Sequence, residues 1–278
     1  MSDKLSAYYY KGLFMLSELI EKYQNFILDI WGVVHDGKEL IPGAEEFINT
    51  LKLHNKNFCF LSNAPRPAAV AHKRFMEIGL GDTDVNRITT SGDIFITRIN
   101  DFQGANIFIL GEELNTDLLA GITISRAKQV ENADFLLILT FGSSEADLVQ
   151  HTDVFKKAID KGIVMLCPNP DIVVFHNGEP RYTPGAFARL YENMGGKVKY
   201  YGKPYKEAYE YVFTKYDMDP AKTIMIGDSL DTDIKGASNA GIDSLLVLTG
   251  IHSTEKQLED LYKKYNLKPT YVARNLRF

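Results

Sequence analysis

The stretch that decides the fold lies near the start of the chain and reads Phe26-Ile27-Leu28-Asp29-Ile30-Trp31-Gly32-Val33-Val34-His35-Asp36-Gly37. Its apolar beginning is typical of a strand that is buried on both faces, as in a parallel sheet. Asp29 follows these apolar residues, so we expect its side chain at the carboxyl end of the sheet, where open α/β folds bind ligands. The stretch therefore predicts an α/β fold with a carboxylate in a ligand-binding position.

Length and composition limit the class of protein. The chain has 278 residues, of which 45% are hydrophobic and 24% charged, and its formal net charge is −5. This length favours two domains, or one domain with a large insert. A negative charge argues against a nucleic-acid partner, which would favour a basic patch. The sequence has no apolar run of about 18 residues, so we expect no membrane span.

The cysteines and the N-terminal residues predict the compartment. Cys59 and Cys167 are the two cysteines, and both lie in apolar runs. We expect them to be buried small hydrophobic residues rather than a disulfide pair. Residues 2–24 mix charged and apolar side chains at helical spacing, which predicts a helix and argues against a secretion signal. The predicted location is therefore the cytoplasm.

Strand and helix patterns alternate along the chain, as in a doubly wound parallel sheet. Strands are predicted at 57–61, 106–110, 135–139, 163–166, 223–226, 244–248 and 271–273. Helices are predicted at 42–55, 68–78, 112–119, 147–161, 205–215, 233–240 and 254–264. A second series of alternating strands and helices begins after the helix at 68–78, and the first series continues near residue 200. This predicts a core domain of residues 1–86 and 200–278, with a second α/β domain, residues 87–199, inserted as a cap.

Acidic residues in two loops predict a magnesium site. Asp29 follows the first strand, and Asp228 and Asp233 lie in the loop after a later strand. Mg²⁺ favours carboxylate oxygens and keeps several waters. Phosphoryl transfer through a carboxylate needs a nucleophile and a divalent cation that neutralises charge. The pattern therefore predicts Asp29 as a nucleophile for phosphoryl groups and all three residues as ligands of Mg²⁺, directly or through water.

Four further residues are candidates for binding the phosphoryl oxygens. Ser62 and Asn63 follow the second strand, and Lys203 precedes a helix. A hydroxyl, an amide and an ammonium are suitable donors for equatorial phosphoryl oxygens. Arg66 has two interpretations that stand side by side: a substrate contact, or a solvated arginine between two prolines. These residues predict a phosphate-binding site around Asp29.

The order of these residues closely resembles the haloacid dehalogenase superfamily of phosphatases and phosphotransferases. Asp29 matches the nucleophile of its first motif, Ser62 its second motif, Lys203 its third, and the loop Asp228–Asp233 its fourth. The resemblance implies a Rossmann-like core. It also implies that the backbone carbonyl two residues after the nucleophile, which is that of Trp31, ligates Mg²⁺.

The insert lies between the second and third motifs, as in the class II members with a cap of subtype A. The short segments that narrow the resemblance to this branch are His35-Asp36-Gly37, Pro42-Gly43-Ala44, Thr90-Ser91-Gly92, Asn169-Pro170-Asp171, Gly185-Ala186, Gly202-Lys203-Pro204 and Leu248-Thr249-Gly250. This branch acts on small phosphorylated metabolites, including sugar phosphates and nucleotides, and often dimerises through the cap. The resemblance therefore implies a hydrolase of such metabolites and a homodimer.

Trp31 departs from the pattern of this family. The general acid/base of the family is an aspartate at this position, and general acid–base catalysis typically contributes about 10²–10⁴-fold. Three interpretations remain open. His35 or Asp36 substitutes for the missing acid; or the substrate has a good leaving group, such as an acyl phosphate; or the protein is a slow phosphatase or a non-catalytic sensor of phosphorylated metabolites on a degenerate scaffold.

Overall fold

The computed structural model describes residues 16–176, 179–250 and 258–278. Most of the predicted N-terminal helix and the start of the predicted helix at 254–264 lie outside the described residues. The described chain forms two compact units. The first contains residues up to 62, residues 71–89 and residues from 203 onward, and the second contains residues 63–70 and 90–202. The predicted domain limits, 1–86 with 200–278 and 87–199, stay a prediction.

The strands of the described residues are, in chain order, β1 (Asn25–Leu28), β2 (Asn57–Ser62), β3 (Ile88–Thr90), β4 (Asn106–Leu110), β5 (Ser125–Arg126), β6 (Phe135–Ile138), β7 (Val164–Cys167), β8 (Val173–His176), β9 (Glu179–Tyr182), β10 (Lys197–Tyr200), β11 (Thr223–Gly227), β12 (Asp243–Val247) and β13 (Tyr271–Ala273). The α-helices are α1 (16–22), α2 (Ala44–Leu53), α3 (Ala68–Glu77), α4 (Ser91–Thr97), α5 (Glu145–Val149), α6 (Thr152–Asp160), α7 (Pro184–Asn193), α8 (Lys206–Tyr216), α9 (Lys235–Ala240) and α10 (Leu258–Tyr265).

The first unit contains a six-stranded sheet with the strand order β13-β12-β11-β1-β2-β3. β1 lies between β11 and β2 and is parallel to both. Every residue of β1 is buried, as expected for a central strand with helices on both faces. The α/β class with a parallel core sheet, predicted from residues 26–37, is confirmed.

The second unit contains a sheet in the order β10-β7-β6-β4-β5, whose neighbouring strands pair in parallel. β8 and β9 form a separate antiparallel pair, and both lie between β7 and β10 in the sequence. Phe155, Phe187 and Tyr191 are fully buried and form part of its hydrophobic core. Cys167 is buried in the same core, and Cys59 is buried in β2, which confirms the prediction for both cysteines.

Two predicted helices of the insert are wrong in extent. Residues 112–119 contain only a short 3-10 helix, Glu112–Leu114. After it, the buried side chain of Asn115 donates a hydrogen bond to the carbonyl oxygen of Leu139 at 2.8 Å, which holds the chain in a turn. The predicted helix at 147–161 is divided into α5 and α6.

No helix among the described residues is long and apolar enough to cross a membrane.

Candidate active site

The strand register of the first unit brings three candidate residues to one edge of the sheet. Leu28 lies opposite Phe60 of β2 and Ile226 of β11. The backbone N–H of Asp29 donates to the carbonyl oxygen of Ile226 at 2.9 Å, which extends the ladder by one residue. Asp29, Ser62 and Asp228 therefore lie at the carboxyl ends of three adjacent parallel strands, as the sequence predicts.

The carboxyl groups form a buried cluster around one ammonium group. One oxygen from each of Asp29, Asp228 and Asp233 lies within 4.8 Å of the others, and all three residues are buried. Lys203, which is 1% exposed, places Nζ 2.6 Å from Asp29 Oδ1 and 2.7 Å from Asp233 Oδ1. Asp29 Oδ1 also accepts a hydrogen bond from the backbone N–H of Ile30 at 2.7 Å. These contacts fix the carboxylate of Asp29 in one orientation.

Ion pairs in this cluster join the carboxylates of Asp29 and Asp233 to the ammonium of Lys203. Burial, together with the nearby charge of Asp29, raises the pKa of the Asp233 carboxyl to about 6, although Lys203 opposes the shift. Burial lowers the pKa of Lys203, but the charges of Asp233 and Asp29 outweigh it and raise that pKa overall. Asp233 Oδ1 is paired with Lys203 but accepts no hydrogen bond of good geometry from the described residues. Three buried carboxylates whose oxygens lie this close together fit a divalent cation such as Mg²⁺.

Three glycines leave room for the carboxylates, and sequence reasoning gave them no role. A Cβ on Gly250 would lie 1.8 Å from Asp228 Oδ2, and one on Gly32, whose φ is +79°, would lie 2.4 Å from the same oxygen. A Cβ on Gly227 would lie 2.1 Å from Cγ of Asp233. The only signal for them in the sequence is that each lies in or beside a family motif.

Gly250→Ala is expected to weaken Mg²⁺ binding by about 10–100-fold, the usual effect of disturbing a residue that supports metal ligands. The added methyl group would force the carboxylate of Asp228 to move. Calorimetric titration with Mg²⁺ measures the effect. Gly81→Ala is the matched control, because its Cβ would meet no atom closer than 3.6 Å. Equal affinity of Gly250→Ala and wild type would contradict the assignment of Asp228 as a ligand.

The other phosphate-binding candidates have different surroundings. Ser62 ends β2 and is buried. Asn63 is also buried and donates a hydrogen bond from Nδ2 to Asp171 Oδ1 at 2.7 Å, within the second unit. Arg66 forms an ion pair with Asp117 in the same unit, and both side chains are partly exposed. The roles predicted for Ser62, Asn63 and Arg66 in binding substrate stay predictions.

Trp31 begins a tightly bonded loop after β1. The backbone N–H of Gly32 donates to the carbonyl oxygen of His35 at 2.9 Å. His35 is buried, and its Nδ1 accepts a hydrogen bond from the backbone N–H of Gly37 at 3.0 Å. Asp36 Oδ1 accepts hydrogen bonds from two backbone N–H groups that follow it, and these bonds lower the pKa of its carboxyl. His35 and Asp36 therefore stabilise the turn itself.

His35 predicts a pH dependence of stability. Burial lowers the pKa of His35 to about 4, with a smaller contribution from Arg74 that Asp36 partly opposes. The unfolded chain binds this proton near pH 6.5 and the folded chain only near pH 4, so acidification favours unfolding. We expect the free energy of unfolding to fall by about 2 kcal/mol between pH 7 and pH 5 on account of this group.

Urea unfolding at the two pH values measures this loss. The matched variant is His35→Asn, because the asparagine oxygen can accept the hydrogen bond that Nδ1 accepts from Gly37. The variant should lose less stability than wild type on acidification. An identical loss in both proteins would show that His35 is protonated equally easily in the folded and unfolded chain.

Comparisons with known proteins agree with this geometry. The family model described as haloacid dehalogenase-like hydrolase matches residues 26–124, and the one described as HAD-hydrolase-like matches residues 200–277. A solved structure of a 4-nitrophenylphosphatase from Thermotoga maritima is 30% identical, with a TM-score of 0.74, and the match covers 93% of this chain and 97% of the other. A haloacid dehalogenase-like hydrolase from Brucella suis 1330 is 25% identical, with a TM-score of 0.76 and coverage of 87% and 95%.

Relatives with assigned activities are also similar along most of their length. The 5′-nucleotidase YutF of Bacillus subtilis is 28% identical over 264 residues, which covers 92% of this chain and 97% of the relative. An acid sugar phosphatase of Staphylococcus haemolyticus is 27% identical over 265 residues, with coverage of 92% and 95%. The chain therefore belongs to the haloacid dehalogenase superfamily, in its class II subtype A branch, and is a phosphatase that hydrolyses phosphoric ester bonds.

Proposed function

We propose that this phosphatase hydrolyses small phosphorylated metabolites, of the sugar phosphate or nucleotide type, with Mg²⁺ and a phosphoryl group carried transiently on Asp29. One observation carries the proposal: Asp29 shares a buried cluster with Asp228, Asp233 and Lys203. This cluster combines a nucleophile, oxygen ligands for a cation, and a positive charge. The activities of the relatives named above, a nucleotidase and a sugar phosphatase, support the substrate class.

Four residues would hold the cation. Asp29, Asp228 and Asp233, directly or through water, would supply carboxylate oxygens, and Trp31 would supply its backbone carbonyl. The closeness of three buried carboxylates in this cluster supports the assignment. When bound, Mg²⁺ neutralises charge on the phosphoryl group that is transferred.

Side chains with polar or charged donors would bind the phosphoryl oxygens. Lys203 is buried, and its ion pairs with Asp29 and Asp233 hold its ammonium group in place before substrate arrives. A fixed charge of this kind stabilises a transition state without reorganisation. We assign the hydroxyl of Ser62, the amide of Asn63 and the guanidinium of Arg66 to the same task.

Asp29 would carry out the reaction in two steps. A carboxylate oxygen attacks the phosphorus atom, and the bond from phosphorus to the ester oxygen breaks, with its electron pair retained by the leaving oxygen. Water then attacks the phosphorus atom, the bond to Asp29 breaks, and inorganic phosphate and the free carboxylate are released. The water proton passes to solvent. Lys203, whose Nζ lies 2.6 Å from Asp29 Oδ1, would reduce the repulsion between the carboxylate and an anionic substrate.

The side chain of Trp31 cannot donate a proton to the leaving oxygen. His35, with a pKa of about 4, is neutral at pH 7, and the pKa of Asp36 is lowered by its backbone hydrogen bonds, so neither is a suitable acid. The leaving oxygen would therefore depart as an anion. We infer that turnover is slow for simple alkyl esters and faster for substrates with good leaving groups.

A panel of phosphate esters tests the proposal. The purified protein, with and without Mg²⁺, is assayed with 4-nitrophenyl phosphate, an acyl phosphate, sugar phosphates and nucleotides. We expect phosphate release that depends on Mg²⁺, is lost on chelation, and is faster for the aryl and acyl phosphates. The absence of turnover with every compound, together with retained binding of Mg²⁺, would overturn the proposal in favour of a sensor.

The remaining expectations concern location and assembly. A cytoplasmic location follows from the cysteine pattern, and a homodimer through the cap follows from the family resemblance. Both stay predictions. The formal net charge of −5 keeps a nucleic-acid partner an unfavourable interpretation.

A further inference from the structure

The side chain of Trp31 is exposed although it lies two residues after the proposed nucleophile. It retains 41% of its accessible surface, which is unusual for the largest apolar side chain. Trp31 is also the single tryptophan of the chain. An exposed indole two residues after Asp29 leaves an aromatic surface on the loop that follows the proposed nucleophile.

The indole is held in place by its own loop. Its ring meets the ring of His35 edge to face, with centroids 5.5 Å apart and an interplanar angle of 75°. Its far edge rests on Gly37, because a Cβ there would lie 2.3 Å from Cη2 of Trp31. The guanidinium of Arg74 donates hydrogen bonds to the carbonyl oxygens of Gly37 and Lys38 and so holds this part of the loop in place. A ring fixed in this way loses little conformational entropy when a ligand packs on it.

The missing proton donor also indicates a ligand with an aromatic leaving group. Without a general acid, the leaving oxygen must carry a full negative charge as the phosphorus–oxygen bond breaks. Oxygen attached to an aromatic ring stabilises that charge by delocalisation, whereas an alkyl oxygen does not. Such leaving groups are planar, and planar rings stack on an indole.

We propose that Trp31 is a specificity-determining residue whose indole stacks on the planar leaving group of an aryl or heteroaryl phosphate. This inference rests on the proposed function, because it places the phosphoryl group of the ligand at Asp29. It adds a preference to that function: esters of aromatic hydroxyl groups bind more tightly and react faster than the sugar phosphates and nucleotides of the proposed class. Trp31 then explains two features together. It replaces the general acid of the family, and it favours aromatic leaving groups, which do not need that acid.

Two unreactive phosphonates test the inference with the Mg²⁺-loaded protein. 4-Nitrobenzylphosphonate carries an aromatic ring, and methylphosphonate carries only the phosphonate group. Calorimetry should give an affinity about tenfold higher for the aryl compound, the effect of one aromatic pair together with its buried area. The nitroaromatic ring should also quench the emission of Trp31, whereas methylphosphonate should not.

Variants of Trp31 separate stacking from general apolar contact. Trp31→Leu should lose most of the tenfold preference for the aryl compound, measured as the ratio of its affinities for the two phosphonates. Trp31→Phe keeps an aromatic ring and should retain a preference of at least about threefold. An unchanged aryl preference in Trp31→Leu, or the absence of quenching in wild type, would overturn the inference.

Failure of the proposed function would give a different result. If methylphosphonate does not bind wild type, or if Asp228→Asn binds it as tightly, the phosphoryl site is misassigned and the stacking inference is overturned with it. If methylphosphonate binding depends on Asp228 but the aryl compound binds no more tightly, stacking alone is overturned and the proposed function stands.

Discussion

Asp29→Asn is expected to lower kcat/KM for 4-nitrophenyl phosphate by about 10⁴-fold or more, because the amide is a poor nucleophile and cannot form the acyl phosphate. The substitution also removes one negative charge from the cluster that surrounds Lys203. Because Lys203 keeps its ion pair with Asp233, we expect the variant to remain folded. Initial rates at saturating Mg²⁺ measure the effect, and thermal unfolding checks that the fold is kept.

Asp231→Asn is the matched control for this variant. Asp231 is an exposed acid in the loop that carries Asp228 and Asp233, and its replacement is chemically identical. We expect it to keep most of the activity. Activity of Asp29→Asn within tenfold of wild type, in a folded protein, would contradict the assignment of Asp29 as the nucleophile.

Trp31→Asp is expected to raise the turnover of alkyl phosphates, such as a hexose phosphate, by about 10²-fold or more. It introduces a carboxyl group at the position where the family has its general acid/base, and such a group typically contributes about 10²–10⁴-fold. The backbone carbonyl proposed to bind Mg²⁺ is unchanged by the substitution. Rates measured with a series of esters should therefore become less dependent on the pKa of the leaving alcohol.

Trp31→Asn controls for the loss of the indole, because it has nearly the shape of the aspartate without its proton. It should show no increase with alkyl phosphates. Equal rates for Trp31→Asp and Trp31→Asn would indicate that another group already supplies the proton, or that a step other than bond cleavage limits turnover.

The core fold and its site were predictable because the signals are local and repeated. A buried strand followed directly by Asp29 specifies both an element and the edge of the sheet at which this carboxylate lies. Parallel pairing with β2 and β11 then brings the residues that follow those strands to the same edge. Short polar segments after successive apolar runs were sufficient to place Asp228 there.

The second unit was harder to predict because its elements depend on individual side chains. The break between α5 and α6 contains no glycine or proline. The hydroxyl of Thr152 donates to the carbonyl oxygen of Val149, which a continuous helix would use for the N–H of residue 153, and the ring of His151 packs on Phe187. Strand β10 alternates exposed lysines with half-buried residues, so a search for apolar runs missed it.

The surroundings of Trp31 also could not be predicted from the sequence. The pattern of residues 26–37 shows that the acid is replaced, but not that the indole stays exposed while its edge rests on Gly37. These contacts depend on the positive φ of Gly37, which is +94°, and on the turn that His35 stabilises. Neither the exposure nor the contact has a signature in residue type or spacing.

Identification of the phosphorylated residue tests the central claim most directly. The protein is mixed with a radiolabelled acyl phosphate and Mg²⁺, quenched in acid within milliseconds to seconds, digested and mapped by mass spectrometry. We predict one labelled acyl phosphate on Asp29, which accumulates in wild type and is depleted in Trp31→Asp because that variant regains a base for the second step. A label on another residue, or turnover without any phosphorylated protein, would contradict the account.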